Sequence, residues 1–138
     1  MGFDLFFQPL VDGDVLDIGR AELRSLFPVV DEESKPDYWS IRYDSLNACH
    51  IGVKAFASST NQLASFYVER PCGDSRLWEA LFRVLQKGRI VLYFPGGPPV
   101  VASENAVAAT LPQDVTEAIG EPRCVGSAEE ILKILRES

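Results

Sequence analysis

A single histidine, three cysteines and thirteen Lys and Arg against twenty Asp and Glu leave this 138-residue chain short of most catalytic and ligand-holding chemistry. With His50 alone, acid–base work near neutral pH would fall to it or to a shifted carboxylate. Cys49, Cys72 and Cys124 are odd in number, so they make no disulfide framework. With His50 they number four soft ligands, the set zinc favours. However, no C-x-x-C spacing is present, and neighbouring Cys49 and His50 would diverge to opposite faces of a strand. No metal is expected. Asp12-Gly13-Asp14 lacks the ligand periodicity of a calcium loop. Pro95-Gly96-Gly97-Pro98-Pro99 has no following Lys-Ser/Thr and no helix start to cradle a phosphate. No cofactor is expected either.

The charge balance of −7 disfavours nucleic acid and anionic membranes as partners, because both demand a clustered basic face. It leaves basic proteins open. The acid is concentrated early: residues 1–44 hold ten Asp and Glu against four Lys and Arg. Asp12, Asp14, Glu32 and Glu33 are the candidate acidic surface within that third. Met1-Gly2-Phe3-Asp4 offers no basic export region, and no apolar run reaches membrane-spanning length. A reducing cytoplasm is the expected setting.

What the chain does have is architecture. At this length it is read as one domain (residues 1–138) that buries roughly two thirds of its extended surface. Two Trp, four Tyr and eight Phe are enough to build a core without staples. Phe3, Leu5 and Phe7 alternate with Asp4, Phe6 and Gln8 as a first strand. Asp17 is placed to cap a short helix holding residues 20–27, ended by Pro28. Residues 38–44, 49–56 and 63–70 alternate as three meander strands, the last two separated by the polar turn at 58–61. Asp74 then caps a helix over 75–87, whose stripe is Leu77, Trp78, Leu81, Val84 and Leu85. Strands follow at 89–94 and 100–102. Pro112 opens a helix ending near Ile119. Residues 123–125 are extended, and Ser127 with Glu130 forms a capping box for a last helix.

These elements predict an α+β fold: a mixed, mostly antiparallel sheet of about five to seven strands with helices mainly on one face. The other face would carry Asp4, Gln8, Ser40, Arg42, His50, Lys54, Tyr67 and Glu69. Cross-strand charged and aromatic pairs also stabilise ordinary open sheets. Even so, Arg42, His50, Lys54, Tyr67 and Glu69 are the candidate binding residues. Cys72, just ahead of a helix N-terminus and near Arg70 and Arg76, is the candidate reactive thiol. In size, charge and element order the chain resembles the small, acidic, one-domain immunity proteins of bacteria. That likeness implies binding of a larger, basic protein rather than catalysis. The alternatives are a homodimeric structural domain, or a small-molecule domain or enzyme with a pocket near Cys72, Asp74 and the Gly96-Gly97 loop.

Overall fold

The computed structural model describes residues 3–10, 13–31, 37–56, 59–102 and 122–137, with the backbone alone at 31, 59 and 60. The strands are β1 (Leu5–Pro9), β2 (Val29–Asp31), β3 (Tyr38–Arg42), β4 (Ala48–Phe56), β5 (Ser59–Glu69), β6 (Ile90–Tyr93), β7 (Val100–Ala102) and β8 (Arg123–Val125). They form one sheet in the order β2-β3-β4-β5-β1-β6-β7-β8. Every pairing is antiparallel except β7 with β8. The helices are α1 (Arg20–Ser25), α2 (Ser75–Gln86) and α3 (Ala128–Glu137). This is the expected α+β architecture with one strand more than the range anticipated.

The additional strand is β2. Three residues give no alternation, and its register against β3 slips between Val29 and Asp31. Such a bulged, short strand suits a sheet edge. Two further boundaries differ from expectation. Strand β5 begins at Ser59, so Ser59, Thr60 and Asn61 belong to the strand, with Ser59 paired to Phe56. Asp17 does not cap α1, whose N-cap is Gly19 and makes no side-chain bond. The Asp17 carboxylate instead accepts a hydrogen bond from the Arg89 backbone N–H at 2.9 Å. Gly88 makes this approach possible, since a Cβ there would lie 2.1 Å from Asp17 Oδ2. The helix anticipated over 112–119 lies outside the described residues, as do Asp12, Glu32 and Glu33.

Other local signals are read out as expected. Asp74 caps α2 by accepting from Arg76 N at 2.9 Å. Ser127 Oγ accepts from Glu130 N at 3.3 Å, while Glu130 reaches back to Gly126 N at 3.1 Å. One core cluster joins Leu5, Phe7, Trp39, Ile51, Phe66 and Leu92 of the sheet to buried residues of the three described helices, among them Leu23, Trp78, Leu81, Ile131 and Leu135. The helices therefore cover one sheet face. Phe3, Leu26 and Leu132 pack against this cluster while partly buried, and Val91 belongs to a smaller cluster with Leu10 and Val101.

Candidate functional site

Strand alternation delivers Arg42, His50, Lys54, Tyr67 and Glu69 to the face opposite the helices. Ser40, His50 and Glu69 stand in one cross-strand register. The next register line is more distinctive. Tyr38, Gly52, Tyr67, Phe6 and Tyr93 align across β3, β4, β5, β1 and β6. It forms a row of four aromatic side chains interrupted by one glycine.

The glycine explains how the row lies. A Cβ at position 52 would fall 2.2 Å from Tyr67 Cε1 and Cζ, so the Tyr67 ring lies flat over the bare β4 backbone. Beside it, Tyr38 stacks on His50 with ring centres 5.0 Å apart and planes 9° off parallel. The Tyr38 hydroxyl donates to Glu69 Oε2, which fixes the ring from its far end. Phe6 leans toward Tyr67 at 6.4 Å and is 39% exposed. Such offset and tilted contacts are favourable aromatic geometries. The result is a flat aromatic strip bordered by exposed Lys54 and half-buried Glu69, with exposed Arg42 one register line further out, beyond Ser40 and His50. Sequence reasoning passed over Phe6, Tyr38 and Tyr93. The period-two signal already placed Phe6 with Gln8 and Tyr38 with Ser40; the strand at 89–94, apolar from Ile90 onward, gave no such cue for Tyr93.

The second candidate region lies at one end of the sheet. Cys72 is half-buried, and its carbonyl accepts from Trp78 Nε1 at 2.9 Å. Asp74 is held in a two-pronged pair with Arg76 at 2.9 and 2.8 Å. Arg76's side-chain and backbone bonds hold the Asp74 carboxyl down to about 2. Asp74 is thus committed to capping rather than aimed at a ligand. Gly97 lies over the Phe94 ring, where a Cβ would meet Cζ at 1.9 Å. Three clefts of about 450, 280 and 450 Å³ indent the surface, at Asp17 and Arg89, at Gln8 and Lys54, and between α2 and α3. None of these three is lined by Cys72, Asp74, Gly96 or Gly97. Asp14 is exposed and borders the first two. Among the described residues no group of three or more His, Cys, Asp or Glu is placed to hold a metal ion. No described helix is long and apolar enough to cross a membrane.

Several acids are shifted upward. The bond to Glu69, then desolvation, push Tyr38 from 10.0 to about 12. Burial pushes Cys49 from 9.0 to about 12 and raises Tyr43 as well. Each group holds its proton more tightly folded than unfolded. The associated stability is therefore fully present below the ordinary values and is lost as pH climbs toward 12. Urea midpoints measured against pH should fall between pH 10 and 12, and Tyr38→Phe should flatten part of that fall. Equal slopes for the two proteins would remove the Tyr38–Glu69 bond from the account.

Tyr43 Oη is buried without a hydrogen-bond partner among the described residues. Leaving a buried hydroxyl unmatched costs about 1–3 kcal/mol. Tyr43→Phe keeps the ring under the Arg76 guanidinium, 5.0 Å from its centre. It should be neutral or stabilising by up to about 1 kcal/mol in urea denaturation. A clear loss would mean that the hydroxyl has a partner after all.

Comparison of the chain with protein-family models, with curated proteins and with solved structures gives no match.

Proposed function

We propose that this chain is a non-catalytic interaction module that docks a basic protein on its open sheet face. The observation that carries the reading is the register-aligned row of Tyr38, Tyr67, Phe6 and Tyr93 around Gly52. Tyrosine-rich, flat patches rimmed by charge are the surfaces from which interface hot spots are drawn. Here the rings are already held by stacking, by Glu69 and by the Gly52 notch, which lowers the ordering cost on binding. A guanidinium of the partner can lie over the Tyr67 or Phe6 ring with Glu69 close enough to meet its charge. The overall charge of −7 steers a basic partner toward the molecule. This is the manner of action implied by the likeness to immunity proteins, and a reducing cytoplasm suits the three free thiols.

A photo-crosslinking side chain placed at Phe6 in cells tests the reading, with one at exposed Glu79 on α2 as the control. A basic protein should be trapped from position 6 and not from 79, and Tyr67→Ala should abolish the adduct. Trapping of a second copy of the chain, confirmed as a dimer by light scattering at micromolar concentration, would replace the reading with self-association. Equal adducts from both positions would overturn it.

A further inference from the structure

We propose that the trough between Lys54 and Asp14 is a binding site for a small zwitterion, an α-amino acid with an aliphatic side chain. Lys54 and Phe56 stand two residues apart on β4 and form one wall of this recess. The strand order β4-β5-β1 sets Gln8 two strand spacings away, on the order of 10 Å. Gln8 and Pro9 begin the opposite wall. Beyond β1 the chain passes through Gly13, whose φ of 88° a residue with a side chain seldom adopts. That turn brings Asp14 to the same rim. Between the two walls β5 supplies only Ala64 and Ser65.

A bulge makes this floor of small residues. Lys54 pairs with Ser65 but Ala55 pairs with Leu63, so Ala64 is an extra residue on β5. Leu63 stays fully buried in the core, while Ala64 and Ser65 are both half-buried and both line the recess. Bulges re-aim side chains in this way, and here two consecutive small ones lie under a single opening. The recess holds about 280 Å³, just below the range that takes drug-sized ligands. Its occupant is therefore limited to roughly the size of one amino acid.

The lining matches such a molecule group by group. A carboxylate can accept from the Lys54 ammonium, the Ser65 hydroxyl and the Gln8 amide. The α-ammonium finds its counter-charge in Asp14. An aliphatic side chain can lie against Phe56, Pro9 and Ala64. Among the described residues no ion pair joins Lys54 or Asp14 to another side chain, so neither charge is already committed there. A simple anion would face the like charge of Asp14, and a simple cation that of Lys54. A molecule carrying both signs satisfies the two walls together. The recess is built from its own residues, and filling it requires no protein docked on the aromatic row.

The test titrates the isotope-labelled full chain with L-leucine and follows its backbone amide signals by NMR. Saturable shifts should centre on Gln8, Gly13, Asp14, Ala64 and Ser65, with a Kd on the order of 1 mM. Leucinamide, which lacks the carboxylate, and N-acetyl-leucine, which lacks the ammonium, should each bind about fivefold more weakly, the scale of one exposed charge contact. In Lys54→Met, leucine and leucinamide should bind alike; in Asp14→Asn, leucine and N-acetyl-leucine should bind alike. Both positions are exposed, so the variants should keep the wild-type spectrum away from the recess. No saturable shift as leucine approaches its solubility limit would overturn the proposal. So would equal leucine affinity in the wild type and both variants, or shifts centred on Asp17 and Arg89 in the neighbouring cleft.

Discussion

Trp78→Ala should cost about 3–5 kcal/mol of folding free energy. Against a total of roughly 5–15 kcal/mol for a domain of this kind, that is enough to leave the protein marginal. Trp78 is 0% exposed on the buried face of α2, where it joins the sheet residues in one cluster. Truncation opens a cavity and also strips the Cys72 carbonyl of its indole donor. Trp78→Phe helps separate the two effects, since it removes the donor while keeping a six-membered ring and so leaves a much smaller cavity. Its cost should be roughly 1–2 kcal/mol, the range for an unmet carbonyl with modest repacking. Urea denaturation followed by circular dichroism reads both variants. A Trp78→Ala loss below about 1 kcal/mol would contradict the described packing.

The second large effect is expected at Phe7 and Phe66. They oppose one another across β1 and β5, with rings stacked at 4.4 Å and planes 5° apart. Both are essentially inaccessible to solvent. Each alanine variant should lose about 3–5 kcal/mol. The double variant should lose less than the sum, by about 0.5–1.5 kcal/mol, because the ring–ring contact is removed only once. Strict additivity in that cycle would show that the rings do not touch.

These positions also show how far the sequence alone reached. Helix α2 was legible because its stripe, its Asp74 cap and the stop at Gly88 are all local signals that agree. Trp39, Ile41, Ile51 and Phe66 fell on the core face for the same kind of reason, since period two needs no knowledge of neighbours. The same period gathered Arg42, His50, Lys54, Tyr67 and Glu69 on the opposite face. What alternation cannot supply is strand order. Strand β1 lies between β5 and β6, and only that placement sets Phe6 between Tyr67 and Tyr93. Asp17 shows the same limit. Its sequence position fits a cap, yet its carboxylate is spent on a backbone N–H of Arg89, far along the chain. Strand β2 was silent because three bulged edge residues carry no period at all.

The central claim, that the aromatic row of the open face is a docking surface for a basic protein, rests on one decisive titration. The protein trapped by crosslinking at Phe6 is titrated by calorimetry against the wild-type chain, Tyr67→Ala and a helix-side control, Glu79→Lys, at low and high salt. Loss of a hot-spot tyrosine costs about 2 kcal/mol or more, so Tyr67→Ala should weaken binding roughly thirtyfold. Added salt should weaken the wild-type complex, while Glu79→Lys stays close to wild type. Equal affinity for wild type and Tyr67→Ala, with binding lost in Glu79→Lys, would place the interface on the helices and contradict the account.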